Sequence, residues 1–327
     1  MLYPLKFNPI YKEKIWGGNK LNTILSKDTL DKSNTGESWE LSAVQENLSI
    51  VSNGFLQENN IEELIEVYMG ELVGDKVYEK FGIEFPLLFK FIDAKERLSI
   101  QVHPNDSIAK EKHKAYGKTE MWYVIDADKD AKLTIGLNKE IDQADFIQRV
   151  KSDQVESILN NEQTHVDDVY LIPSGTIHSI GAGVLLAEIQ QTSDISYRIY
   201  DYNRTDKDGN LRELHNELAK DAINFTVEKK HRTDYKKENN NAVQINKCDY
   251  FTTNLIEFDK EIERDYYPFD SFVVYMCLEG EFYIDYQKED KVKVSKGETV
   301  LLPAILDNIV LYPTKKCKIL ETYIDQM

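Results

Sequence analysis

A chain of 327 residues with 41% hydrophobic and 30% charged residues has the balance of folded domains, roughly two of them, and not of a disordered segment. Its net charge of −17, from 40 basic and 57 acidic residues, argues against nucleic acid or an anionic membrane surface as a partner, since no basic patch offsets it. Apolar runs such as Phe272–Leu278 fall far short of a membrane span, Met1–Lys6 has no signal-peptide pattern, and the scattered Cys248, Cys277 and Cys317 fit a reducing compartment. The expectation is a cytoplasmic protein.

Residues 1–53 alternate short apolar runs with Gly, Asn and Ser, a pattern of strands and turns. Asn60, with Glu63 three residues on, reads as a helix cap; Ile61, Leu64, Ile65, Tyr68, Met69 and Leu72 follow at helical spacing as a core-facing stripe. Strand patterns return over Phe85–Gln101 and Leu171–Ile189. Short helices are expected near 60–80, 139–160 and 211–224, the last from Leu211, Leu214, Leu218 and Ala222. Residues 227–241 are the most linker-like stretch and divide the chain into units 1–235 and 242–327. The second unit reads as all β, with a hairpin turning at Leu278–Glu281 within Ser271–Tyr286 and a strand pair around Lys296-Gly297 within Val292–Pro303.

Gln101 and His103 lie two apart, so on a strand they share a face. Glu120 opens an apolar run that can lie beside them, and the turn Pro173-Ser174-Gly175 delivers His178 to a further strand. An oxygen–nitrogen set of Gln, His, Glu and His suits a divalent ion such as zinc. Gln101 binds most weakly of the four, being a neutral amide that can instead orient a water. Lys118 precedes Glu120 by two residues, which puts a cation beside that ion or a solvated lysine on the surface. Arg198 has a surface ion pair with Asp194 or Asp201 as its plain alternative. His113 reads as solvated, and His165, His215 and His231 as structural. Dinucleotide, P-loop and serine-hydrolase signatures are absent from the sequence.

The run Pro173-Ser174-Gly175-Thr176-Ile177-His178 matches the P-x-G-x-x-H signature of cupins, with Asp167 where that motif usually has glycine. Gly297 to Pro303 echoes the spacing, but Ala304-Ile305-Leu306 follows in place of Gly and His. The fold expected is mainly β: a cupin catalytic unit with a few short helices, and a smaller degenerate cupin-like β unit without metal ligands. Trp16-Gly17-Gly18, Gly36–Glu40, Ser99–Pro104, Gly117–Tyr123 and the block from Pro173 to Arg204 together resemble the type I mannose-6-phosphate isomerases in their short bacterial form, over residues 1 to about 225. Only 57 residues separate Glu120 from His178, so the helical insertion of the longer forms is reduced here.

The resemblance implies that Gln101, His103, Glu120 and His178 hold one zinc per chain and that Arg198 is the active-site arginine. It sets Ser99 and Lys118 on the substrate side and Trp16 near the site mouth. The reaction implied is reversible interconversion of mannose 6-phosphate and fructose 6-phosphate through an enediolate. Glu188, Lys118, a zinc-bound water and His178 are the candidate proton carriers, with a pair that includes Glu188 favoured. Alternatives are an isomerase for another sugar phosphate such as glucose 6-phosphate, or a non-catalytic sugar-phosphate-binding cupin. The partner is a small sugar phosphate, and the chain is a monomer or a dimer.

Overall fold

The longer strands carry two buried faces, and which face meets what decides how the chain stacks. The computed structural model describes residues 2–29, 34–205, 208–228, 230–287 and 291–325. Its strands begin with β1 (Leu5–Lys6), β2 (Ile10–Gly18), β3 (Thr35–Leu41), β4 (Leu87–Ala94), β5 (Ile100–Val102) and β6 (Glu120–Ala127). There follow β7 (Lys132–Leu137), β8 (Leu159–Gln163), β9 (Val169–Ile172), β10 (His178–Ile180), β11 (Val184–Gln191) and β12 (Tyr197–Tyr200). The second half has β13 (Ala242–Lys247), β14 (Thr252–Phe258), β15 (Ile262–Asp265), β16 (Val273–Glu279) and β17 (Glu281–Asp285). It ends with β18 (Lys291–Ser295), β19 (Thr299–Leu302), β20 (Asn308–Pro313) and β21 (Cys317–Tyr323). Short helices intervene: α1 (Lys20–Thr23), α2 (Ile61–Tyr68), α3 (Gly70–Val73), α4 (Asp75–Phe81), α5 (Asp106–His113), α6 (Gln143–Lys151) and α7 (Asn216–Ala222). The fold is mainly β, as expected.

A six-stranded sheet, β2-β3-β4-β11-β6-β9, packs over a five-stranded one, β12-β5-β10-β7-β8, to form the first barrel. In the second, β1-β19-β16-β21-β14-β13 packs over β15-β20-β17-β18. The pairing pattern of β3–β11 repeats strand for strand in β13–β21. Glu188 of β11 stands opposite Lys90 and Trp122 as Glu321 of β21 stands opposite Asn254 and Tyr275. The short β1 crosses the division at 235–242, pairing Leu5 with Leu301 of the second barrel.

Alternation explains the docking of the two barrels. Phe89, Phe91, Met121, Tyr123, Leu185 and Ile189 point out of the first barrel into a cluster shared with Val274, Met276, Leu301 and Leu320. Their neighbours Ile92, Trp122, Val124, Val184 and Leu186 point inward. Fully burying each such side chain is worth about 1.5–3 kcal/mol, so the shared face is a strong join. Asp167 reinforces it: in the left-handed conformation (φ 74°) that explains glycine at this motif position, its carboxylate accepts from Tyr123 in the first barrel and from Lys237 and Lys318, the last at 2.7 Å.

Several expectations change. The segments Ser271–Tyr286 and Val292–Pro303 are not separate hairpins: β16 pairs with β19 and β17 with β18, so both form one long ribbon folded from sheet to sheet. The expected turns are its corners, with Gly280 (φ 88°) and Gly297 (φ 83°) in the left-handed region that glycine tolerates. The corners bond to each other, Gly297 N donating to Cys277 O at 2.8 Å. The cap at Asn60 forms its reciprocal pair with Glu63, but the helix ends at Tyr68: Met69 leaves it with φ 45° and is exposed, while Leu72 reaches the same core from α3. Helix α7 starts only at Asn216, leaving Leu211 and Leu214 exposed before it. The linker-like stretch is tied down, Thr233 N donating to Val169 O and Tyr235 Oη to Asp167 O; Lys229 within it lies outside the described residues.

The second barrel fills its interior differently. Arg264 stands opposite Ile309 as Gln101 stands opposite His178, and Val273 opposite Leu302 as Glu120 opposite Ile172. Tyr266, two residues after Arg264, takes the inward place of His103. None of the four metal-type side chains is kept. Arg264 forks onto the fully buried Glu321, at 3.0 Å from Nε and 2.9 Å from Nη2, while Asn254 donates to the same carboxylate at 2.7 Å. Arg264→Met should therefore cost about 3–5 kcal/mol, because it strands a buried carboxylate. Chemical denaturation checks this; pairing it with Glu321→Leu should restore most of the loss, and metal content should not change.

Candidate metal centre

Glu120 opens β6 on the inner face, in phase with Trp122 and Val124. Gln101 and His178 are opposed in register across the facing sheet, and His103, two residues beyond Gln101, returns to the same side. His103, Glu120 and His178 are buried, and one ligand atom from each lies within 4.8 Å of the others.

Two hydrogen bonds orient the imidazoles. His103 Nδ1 donates to the Ile195 carbonyl at 3.0 Å, and His178 Nδ1 to the Thr176 carbonyl at 2.8 Å. A carbonyl only accepts, so each ring carries its proton on Nδ1 and presents a bare Nε2 to Glu120. These nitrogens lie 3.4 Å from Oε2 and Oε1 respectively. Lone pairs face lone pairs: His103 Nε2 and both Glu120 oxygens are buried without a hydrogen-bond partner. Burial, reinforced by Lys118, drives His103 down to a pKa of about 3, and burial lowers His178 too. Burial would push Glu120 up, but the Lys118 ammonium, an ion-pair partner at 3.0 Å, holds it well below the usual carboxylate range. Two neutral imidazoles and a carboxylate converging with no proton between them fit a divalent cation, and the backbone carbonyls are the second partners such ligands need. Gln101 Nε2 donates to His178 Nε2 at 3.2 Å; with the amide turned, Oε1 would face the same point.

A cavity of about 420 Å³ opens beside this group. Gln101, Ser99, Trp16, Lys118, Glu188 and Arg198 all line it. Glu188 accepts from Lys90 Nζ at 3.0 Å and from Trp122 Nε1 at 2.9 Å. Arg198, on β12 beside Gln101, makes no ion pair with Asp194 or Asp201; its Nη1 donates to the Glu213 carbonyl at 2.7 Å, and its buried Nε has no partner. Burial and the nearby Arg212 pull its pKa below the ordinary arginine value. His113 is exposed at the end of α5 and meets Tyr197 Oη at 2.7 Å, His165 is exposed, and His215 accepts from Arg198 N at 3.1 Å.

The cavity also holds residues that sequence reasoning missed, among them Lys12, Lys14, Glu37, Trp39, Lys90 and Arg212. Some had a legible signal. Lys12, Lys14 and Trp16 alternate along β2, Glu37 and Trp39 along β3, and Lys90 is a single cation inside the apolar strand Leu87–Ala94. Arg212 stands outside any regular element. Counting the lining, six basic side chains (Lys12, Lys14, Lys90, Lys118, Arg198, Arg212) face three acidic ones (Glu37, Glu188, Asp194), the reverse of the chain's overall balance.

Residues 4–143 match the model of the phosphomannose isomerase type I catalytic domain. The chain is 33% identical over 321 residues to mannose-6-phosphate isomerase ManA of Bacillus subtilis, covering 96% of this chain and 97% of that one. It belongs to the type I phosphomannose isomerase family. The Streptococcus mutans mannose-6-phosphate isomerase is 37% identical over 223 residues, 68% of each chain. The crystal structure of the Bacillus subtilis mannose 6-phosphate isomerase superposes with a TM-score of 0.88 at 30% identity, covering 98% of this chain and 99% of that one. A putative mannosephosphate isomerase from Archaeoglobus fulgidus, 21% identical with a TM-score of 0.79 over 99% of each chain, shares the fold. In this chain, His103→Ala should abolish stoichiometric divalent metal in elemental analysis of the purified protein. Glu120→Gln should weaken retention, since it removes the only formal negative charge of the set; full metal in His103→Ala would contradict the assignment.

Proposed function

We propose that this chain reversibly interconverts mannose 6-phosphate and fructose 6-phosphate, with one zinc ion held by Gln101, His103, Glu120 and His178. The observation that carries the reading is the juxtaposition of a proton-free His–Glu–His group with a cation-rich cavity in a strongly acidic chain of this family. When bound, the zinc would supply Lewis-acid stabilisation for charge on O1 and O2 of the sugar.

The remaining work falls to side chains. Aldose–ketose exchange moves a proton between C2 and C1, and negative charge grows on the oxygens in between. Glu188 is our candidate to carry that proton, as one member of an acid/base pair. Lys90 and Trp122 fix its carboxylate in place. Lys118 serves as a charged donor and not as a neutral base: burial works against its charge, but Glu120 and Glu188 outweigh it and raise its pKa. Arg198, with an unpartnered Nε, offers donors where enediolate charge develops. Ser99 and Trp16 shape the substrate side of the cavity. We place the reaction in the cytoplasm; three free cysteines support a reducing compartment.

A coupled assay with mannose 6-phosphate should show turnover that a chelator removes and added zinc restores, with glucose 6-phosphate turned over far more slowly. Arg198→Ala should lower kcat by about 10²–10³, the range for one preorganised donor, with a much smaller change in KM. Arg198→Lys should rescue little, because an ammonium cannot reproduce the planar fork. A folded, metal-loaded Arg198→Ala protein with parental kcat would remove Arg198 from the mechanism.

A further inference from the structure

Arg212 reaches the cavity wall from a stretch outside any strand or helix, so something else must fix its guanidinium. Asp201 does so. Only 4% exposed, it accepts from Arg212 Nη1 at 3.2 Å (Oδ1) and 3.3 Å (Oδ2), while Arg204 Nη2 donates to Oδ1. The backbone beside it is bent to make this possible. Tyr202 and Asn203, neither of them glycine, both adopt left-handed conformations (φ 58° and 55°), a costly pair of choices that surrounding contacts must hold. The reversal lets Arg204 N and Nε donate to Asp201 O at 3.1 and 3.2 Å, and Arg204 Nη1 to Arg97 O at 2.6 Å. Arg97 in turn lies 3.3 Å over the Tyr202 ring.

Charge makes the arrangement informative. Asp201 pairs with Arg204 and Arg212, and Arg198 stands near all three without an ion pair of its own among the described residues. The cavity lining carries six basic side chains to three acidic ones, Arg198 and Arg212 among the basic. A sugar phosphate brings nearly two negative charges at neutral pH, which such a lining attracts. We infer that Asp201 is a positioning residue, holding Arg212 against the cavity so that its guanidinium meets the phosphate of the substrate. This rests on the proposed sugar-phosphate reading.

The test compares the full-length, metal-loaded parent with Asp201→Asn, Arg212→Met and the double variant. KM for mannose 6-phosphate, kcat, and inhibition by inorganic phosphate are measured alongside thermal melts. For Asp201→Asn, KM and the phosphate inhibition constant should rise together by about tenfold or more, the worth of a hydrogen bond to a charged group, with kcat within a few-fold. In the Arg212→Met background Asp201→Asn should add little further loss, because the two residues act as one unit. A residue that only supports the fold would lower the melting temperature and leave KM and phosphate inhibition unchanged; that outcome overturns the inference. Should Asp201→Asn fail to fold, Arg212→Met alone decides, since it leaves Asp201 paired with Arg204: parental KM and phosphate inhibition would overturn the proposal. If the parent itself neither turns over mannose 6-phosphate nor is inhibited by phosphate, the functional reading fails first and separately.

Discussion

Everything at this site follows from one buried carboxylate that the protein does not satisfy on its own. Glu120 is fully buried and neither oxygen has a hydrogen-bond partner, Lys118 meeting it only as an ion pair. A carboxylate in such surroundings needs strong compensation. Lys118 supplies part of it, yet the space on the other side is occupied by two imidazole nitrogens whose protons are committed elsewhere, to the carbonyls of Ile195 and Thr176. Acceptors pointed at acceptors repel until a cation sits among them. The backbone bonds matter as much as the ligands, because each dictates which nitrogen is bare.

The duplicated architecture shows how such a site is kept or lost on one scaffold. Both barrels place a glutamate on the equivalent strand, Glu188 on β11 and Glu321 on β21, each flanked by partners on the corresponding two neighbouring strands. In the second barrel an arginine reaches in from the position of Gln101 and neutralises that glutamate internally, with Tyr266 closing the cluster. The interior charge is balanced by protein alone. In the first barrel the corresponding space stays open, as a cavity bordered by Lys90, Glu188 and Lys118. One unit thereby became a packed support and the other retained a reaction vessel, joined through the outer faces of their six-stranded sheets.

Much of this was readable from residues. Strand alternation located Gln101 and His103 on one face, the turn at Pro173 located His178, and the Asn60–Glu63 box located the start of its helix to the residue. Topology was harder to see. A glycine corner and a hairpin turn look alike in sequence, since both need left-handed backbone, so Gly280 and Gly297 suggested two hairpins where the chain makes one folded ribbon. The helix expected from Leu211 shifted because those leucines never meet the core. Arg212 left no signal, for its place depends on a carboxylate eleven residues away and a backbone reversal between them. Lys90, by contrast, left a legible signal as the one cation in an apolar strand.

On the proposed reading, a metal held at His103, Glu120 and His178 would be needed for proton exchange on a hexose 6-phosphate. Proton NMR of mannose 6-phosphate in deuterated water tests it most directly, because it reads the C–H bond itself. The zinc-loaded protein should replace the C2 proton with deuterium as fructose 6-phosphate appears, and folded Glu120→Gln that has lost its metal should leave that signal intact. Exchange at an undiminished rate in the metal-depleted variant, or none in the loaded parent, would contradict the account.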